Sequence, residues 1–144
     1  MSNPRHSHSV ETPPRTESAP VDASVESQGV VVGRHVALDL HAVQEHLWED
    51  AATLVAWLAR TLTESGFHVL GSTSHSFEPH GATGVILLSE SHASFHTYPE
   101  HRYVAFDLFA CGNGDVEEVL RRVEAYWAPG HCGRQELRRG EPRG

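Results

Sequence analysis

The sequence predicts an α+β fold, a two-layer sandwich in which a mainly antiparallel sheet carries two helices on one face. Two amphipathic segments support this class, because their apolar residues recur at helical spacing. Several short apolar or alternating runs, separated by turn residues, predict neighbouring strands. Antiparallel strands combined with few helices favour a layered α+β structure. The predicted order of the main elements is β-α-β-β-β-α-β.

A first strand is predicted at residues 30–40, with a break or bulge at Gly33. The helix that follows ends near Gly66, and its predicted face consists of Leu47, Ala51, Leu54, Leu58 and Leu62. Residues 67–70 are then predicted to form a short strand that leads into a polar loop at 71–76 and a turn-rich segment at 77–84.

The second half of the chain alternates strands with tight turns before a second helix. Asp115 and Glu118 resemble a capping box at the start of that helix, which residues 128–130 end. A last strand is predicted at 135–139. Three further strands, the second and third joined by a hairpin bend at 99–102, are predicted at residues 85–88, 93–98 and 103–110.

Composition divides the chain of 144 residues into a tail and a domain. Residues 1–28 contain four of the eight prolines and have no apolar periodicity. Such a segment cannot bury enough surface to offset its conformational entropy, so we predict that it is disordered. Residues 29–144 are predicted to form one folded domain of ordinary size.

Charge and residue usage exclude several classes of function. The formal charge is −8 and there is no basic stripe, so nucleic acid and anionic membranes are not expected partners, whereas a cationic substrate is. All eleven basic residues are arginine, and a chain without lysine cannot anchor pyridoxal phosphate. Two cysteines make no disulfide framework, and no segment is apolar enough for a membrane span or signal peptide. A cytoplasmic location is therefore expected.

A dense polar cluster at residues 89–100 follows the predicted buried strand. A serine hydroxyl in this cluster is a weak nucleophile that needs a base within hydrogen-bonding reach. His92 and His96 supply imidazoles that change charge near neutral pH. Cys111 lies at the end of an apolar strand, which favours a protonated thiol. The cluster therefore predicts chemistry at a serine.

The cluster resembles the processing and active sites of the short prokaryotic S-adenosylmethionine decarboxylases. The motifs that carry the resemblance are Ser-Glu-Ser-His at 89–92, Ser-Phe-His-Thr-Tyr-Pro-Glu at 94–100 and Cys-Gly at 111–112, after an apolar strand containing Asp107. It is dense at residues 77–112 and extends in register over 33–140. It implies a self-processing pyruvoyl enzyme that supplies decarboxylated S-adenosylmethionine as the aminopropyl donor for spermidine synthesis.

The resemblance also assigns roles to individual residues. Ser91 attacks the carbonyl of Glu90, which splits the chain into a β chain (1–90) and an α chain (91–144) and converts Ser91 into a pyruvoyl group. His96 accepts a proton during this processing, and the Thr83 hydroxyl assists it. The pyruvoyl cofactor forms a Schiff base with the substrate, and Cys111 is the proton donor in catalysis. No metal is implied.

For substrate binding, the resemblance places Phe77 against the adenine and Glu100 on the ribose hydroxyls. Tyr98 stands where the family usually has tryptophan, and Ala110 where threonine usually precedes the cysteine. Relatives of the family act on L-arginine or L-ornithine, so these amino acids are the alternative substrates. The resemblance further implies a homodimer of cleaved protomers with active sites near the interface.

Two hypotheses from other classes accompany this one. Twelve histidines, among them His92 and His96, are compatible with a metal-binding module. On a strand, however, residues i and i+4 share a face but stand too far apart for one ion. The other hypothesis is an inactive relative that serves as an interaction subunit, and such a protein would not cleave itself.

Overall fold

The computed structural model describes residues 32–140; the tail predicted to be disordered and the first two residues of the predicted first strand lie outside this range. Within it, the strands and helices in chain order are β1 (Gly33–His41), α1 (Ala51–Glu64), β2 (Val69–Ser76), β3 (Ala82–Leu88), β4 (Ser91–Tyr98), β5 (Tyr103–Ala110), α2 (Val116–Trp127) and β6 (His131–Arg139). The predicted α+β class is confirmed.

All six strands form one antiparallel sheet in the order β2-β3-β4-β5-β1-β6. Consecutive strands β2 to β5 are neighbours joined by short turns, and β1 and β6 complete the sheet beyond β5. The bend between β4 and β5 is a short 3₁₀ helix at Pro99–His101, after which Arg102 is left-handed. Neither helix in residues 32–140 has the length and hydrophobicity needed to cross a membrane.

The predicted element order counts three strands between the two helices, whereas the structure has four, one overlapping each of the strands predicted at 67–70, 85–88, 93–98 and 103–110. The short strand predicted at 67–70 continues to Ser76, so the predicted polar loop at 71–76 is the edge strand β2. Almost all side chains of β2 are exposed, so the strand is composed mainly of small and polar residues, as loops commonly are. The adjacent strand β3 likewise begins at Ala82, inside the segment predicted to be turns.

Three element boundaries also differ from the predictions. Gly33 makes no bulge; it permits close packing, because a Cβ there would lie 2.8 Å from the carbonyl oxygen of Ala110. Leu47 belongs to a separate 3₁₀ helix, since Asp50 caps α1 by accepting a hydrogen bond from the Thr53 N–H. Strand β6 begins at His131, four residues before the predicted strand, because it pairs with β1 along its whole length.

Both helices pack on one face of the sheet and enclose a single apolar core. The largest fully buried side chains there include Trp127, Phe95 and Leu58. On the opposite face, the side chains of Val85 and Leu87 are 40% and 54% exposed. The alternation of β3 and β4 therefore places every second residue of these strands on an uncovered surface, which carries part of the candidate site.

Candidate active site

The turn between β3 and β4 holds the predicted cleavage point, Glu90–Ser91. Ser91 has a backbone φ of 139°, a conformation that strains any residue with a Cβ. Its Oγ lies 3.8 Å from the Sγ of Cys111, because the β4–β5 register pairs Ser91 with Ala110. The predicted nucleophile and the predicted proton donor are therefore adjacent, and the peptide bond between residues 90 and 91 leads into strained backbone.

The carbonyl oxygen of Glu90 accepts two hydrogen bonds from Cys111. The backbone N–H donates at 2.9 Å and the thiol donates at 2.8 Å. Two donors directed at one carbonyl oxygen polarise the C=O bond and stabilise the negative charge that develops when a nucleophile adds to its carbon. This arrangement can promote attack on Glu90 by the neighbouring Ser91 hydroxyl.

The side chain of Glu90 is held on its other side by His68. The ring Nδ1 of His68 lies 2.5 Å from the Glu90 carboxylate, and the Ser89 hydroxyl donates to the same group. The hydrogen bond from His68 is the main reason that the pKa of Glu90 falls to about 2. His68 is not among the predicted site residues, because a single histidine before an exposed strand carries no periodic or motif signal.

A second cluster lies on the uncovered face, around a cavity of about 440 Å³. It contains Thr83 and His96, whose Oγ1 and Nδ1 atoms are 2.6 Å apart because the β3–β4 register pairs the two residues. The cavity is also lined by the three residues predicted to bind substrate, which are Phe77, Tyr98 and Glu100. Five of the eight predicted site residues therefore surround one cavity.

Aromatic rings and a carboxylate define the walls of this cavity. Tyr98 stacks on Tyr103, with ring centroids 5.5 Å apart, and the Tyr103 hydroxyl donates to Asp39. Burial, with Asp39 nearby, raises the pKa of Tyr103 to about 12, so its hydroxyl stays protonated. The Glu100 carboxylate is 3.1 Å from Nε2 of His80. Ring faces beside a carboxylate suit a planar ligand that bears hydroxyls or positive charge.

Within one protomer, the predicted base lies far from the predicted nucleophile. Ser91 and His96 are five residues apart on β4, a separation of about 16 Å along a strand. The site therefore consists of two parts, the cleavage half-site (Glu90, Ser91 and Cys111) and the pocket half-site (Phe77, Thr83, His96, Tyr98 and Glu100). Sequence proximity had suggested a single cluster, but the length of an extended strand separates its two ends.

The second predicted imidazole, His92, belongs to neither half-site. Its ring packs against those of His35 and Phe109, at centroid distances of 6.2 and 5.9 Å. His92 and His96 lie on one strand, as the argument against a shared metal ion requires. Among residues 32–140, no three His, Cys, Asp or Glu side chains are grouped so that they could hold a metal.

Comparisons with known proteins agree on one family. Its model, described as S-adenosylmethionine decarboxylase, matches residues 34–140. The S-adenosylmethionine decarboxylase proenzyme 2 of Bacillus anthracis is 44% identical over 80 residues, which cover 56% of this chain and 65% of that relative. This chain thus spans just under two thirds of that protein's length. The S-adenosylmethionine decarboxylase proenzyme of a Sulfurihydrogenibium species is 43% identical over 93 residues, covering 65% of this chain and 68% of that one.

The fold comparison gives a similar result. The crystal structure of the adenosylmethionine decarboxylase from Aquifex aeolicus superposes with a TM-score of 0.70. The two chains are 28% identical, and the match covers 78% of this chain and 94% of that one. Because most of the solved chain is matched, the similarity extends well beyond a single motif.

Proposed function

Because this chain belongs to the S-adenosylmethionine decarboxylase family, we propose that it is a self-processing, pyruvoyl-dependent carboxy-lyase that decarboxylates S-adenosylmethionine for spermidine synthesis. The observation that carries the proposal is the geometry at Glu90. Its carbonyl oxygen accepts hydrogen bonds from the N–H and thiol of Cys111, directly beside the strained Ser91. A cleavage site needs such a polarised carbonyl next to its nucleophile.

In the proposed processing, the Ser91 oxygen forms an ester bond to the Glu90 carbonyl carbon while the amide C–N bond breaks. The hydroxyl proton passes to a base and the Ser91 nitrogen gains a proton. Loss of the Cα proton of Ser91 then breaks the Cβ–O bond of the ester. This step releases the new C-terminal α-carboxylate of Glu90 and leaves dehydroalanine at position 91. Addition of water and loss of ammonia convert that residue into the pyruvoyl group. Cys111 stabilises the oxyanion of the first step.

The residues present fit this prosthetic group, which would begin at position 91 within reach of the Cys111 thiol. A pyruvoyl carbonyl supplies the electron sink that allows an α-amino acid to lose carbon dioxide. The chain contains no lysine that could supply this chemistry through pyridoxal phosphate. The Cys111 thiol, 3.8 Å from the Ser91 hydroxyl oxygen, would donate a proton to the carbon from which carbon dioxide departs.

The separation of the two half-sites supports the predicted homodimer. In a two-fold dimer, each protomer presents the same surface, so the pocket half-site of one copy can complete the cleavage half-site of the other. His96 and Thr83 lie on the uncovered face of the sheet, together with the exposed Val85 and Leu87. Packing of two such faces would cover these apolar side chains and supply the processing base.

The pocket half-site favours a nucleoside over the alternative amino acids. The rings of Phe77 and Tyr98 offer faces on which adenine can stack, and Glu100 offers acceptors for ribose hydroxyls. L-arginine and L-ornithine have no comparable ring to occupy a cavity of about 440 Å³. The net charge of −8 suits the sulfonium cation of S-adenosylmethionine.

Covalent trapping tests both the prosthetic group and the substrate. The purified protein is incubated separately with S-adenosylmethionine, L-arginine and L-ornithine, each with a mild reducing agent that makes a carbonyl–amine adduct permanent. We expect an adduct only on the α chain and only with S-adenosylmethionine, measured by intact mass. An adduct with L-arginine or L-ornithine but not with S-adenosylmethionine would identify that amino acid as the substrate. Absence of an adduct with all three compounds would contradict the pyruvoyl proposal.

Cys111→Ala separates the two proposed functions of that residue. The variant keeps the backbone N–H on the Glu90 carbonyl but loses the thiol donor, so we expect cleavage to be about 10-fold slower and still to reach completion. Turnover of the cleaved enzyme, measured by carbon dioxide release, should fall by about 100-fold or more. The matched control is Cys132→Ala on β6, which should alter neither rate; unchanged turnover in Cys111→Ala would remove the proton-donor role.

A further inference from the structure

The side-chain carboxylate of Glu90 accepts hydrogen bonds from both His68 and Ser89. The backbone N–H of His68 lies 3.2 Å from both carboxylate oxygens, and its ring Nδ1 lies 2.5 Å from one of them. The Ser89 hydroxyl donates to the other oxygen at 3.1 Å. The Ser89 N–H donates in turn to the His68 carbonyl at 3.0 Å. Residues 68, 89 and 90 therefore form one closed set of hydrogen bonds.

The Glu90 side chain packs closely against the backbone of Gly112. The Glu90 side chain is only 14% exposed, whereas the His68 side chain is 78% exposed. Gly112 has a φ of 89°, and a Cβ there would approach the Glu90 Cγ to 3.3 Å. The Glu90 side chain thus lies between the His68 hydrogen bonds on one side and a glycine backbone on the other, which restricts its rotation.

From this geometry we propose that His68 is a positioning residue for self-cleavage, which holds the Glu90 carboxylate so that the Glu90 carbonyl stays directed at Cys111 and open to attack by Ser91. This inference rests on the proposed function and adds a residue to it. Hydrogen bonds hold Glu90 at both ends, since His68 binds its side chain and Cys111 binds its carbonyl. A residue restrained through both its side chain and its carbonyl spends more time in the attacking geometry.

The same contacts act after cleavage. Glu90 then becomes the end of the β chain, and the hydrogen bonds from His68 keep this new terminus beside the site instead of releasing it to solvent. The side chain of Glu90 remains ionised, because its pKa is held at about 2 mainly by His68. The carboxylate therefore contributes negative charge beside position 91, where a cationic substrate would bind.

The test follows cleavage of the full-length chain made by cell-free translation, with the fraction of cut chain measured over time. We expect His68→Ala to be cut about 10- to 100-fold more slowly than the unchanged chain. His68→Gln, whose amide can still donate to the carboxylate, should recover most of the rate. The matched control is Leu70→Ala, an exposed position two residues further along, on the edge strand β2, and it should be cut at the original rate.

A double-variant comparison distinguishes positioning from general damage to the strand. In a Glu90→Ala background the carboxylate is absent, so adding His68→Ala should slow cleavage no further. Equal rates for His68→Ala and the unchanged chain would overturn the inference alone, as would equally slow cleavage of the Ala and Gln variants. Absence of cleavage in the unchanged chain would overturn the proposed function as well.

Discussion

Replacing Ser91 by alanine is expected to leave the protein as one uncut chain of 144 residues and 15.9 kDa, without decarboxylase activity. Alanine has no hydroxyl to attack the Glu90 carbonyl, and it cannot become a pyruvoyl group. Both losses are complete rather than partial, since no lysine is available to substitute as a covalent anchor. Denaturing gel electrophoresis and carbon dioxide release measure the two effects.

Ser94→Ala is the matched control for this variant. Ser94 lies on the same strand, three residues further along, and its hydroxyl donates to Asp107 rather than to the cleavage half-site. We expect the Ser94→Ala chain to be cut and active. A Ser91→Ala chain that is still cut between residues 90 and 91 would contradict the proposed nucleophile.

Replacing His96 by alanine is expected to block cleavage nearly as completely, because this change removes the proposed processing base. The neighbouring His92→Ala variant is the control, since the His92 ring packs on His35 and Phe109 rather than on Thr83. We expect His92→Ala to be cut normally. Uncut His92→Ala beside cut His96→Ala would reverse the roles of the two histidines.

Mixing two inactive variants tests whether the half-sites are shared between chains. Ser91→Ala retains the base and His96→Ala retains the nucleophile, so a mixed dimer would hold one complete site. After co-expression, we expect the His96→Ala chain to be cut and the Ser91→Ala chain to stay whole, as seen by mass. No cut chain in a sample that contains mixed dimers would exclude a shared site of this kind.

Much of the fold could be predicted because the hydrophobic period matches the final burial. Strand β5 alternates strictly, and Asp115 caps α2 by accepting a hydrogen bond from the Glu118 N–H. Only this half of the predicted capping box forms, because the Asp115 N–H donates to the Ser65 carbonyl rather than to Glu118. Most of strand β2, residues 71–76, is predicted to be a loop, because this part lies at the sheet edge with its side chains exposed and has no apolar face. The family resemblance is confirmed, and it rests on motifs whose spacing is independent of such edge effects.

The sequence identifies candidate residues for the site but not their arrangement. Thr83 and His96 are thirteen positions apart in sequence, and only the β3–β4 register makes them partners. Ser91 and His96 look adjacent in sequence, yet an extended strand carries them about 16 Å apart. His68 and Glu90 meet just beyond the paired ends of β2 and β3, a contact that neither periodicity nor a local motif encodes.

An intact mass spectrum of the purified protein tests self-processing most directly. We expect two chains that meet between Glu90 and Ser91, with the second chain lighter than a chain beginning with serine by about the mass of one ammonia. A single chain of 15.9 kDa would contradict self-processing. A second fragment that begins with intact serine would contradict formation of the pyruvoyl group.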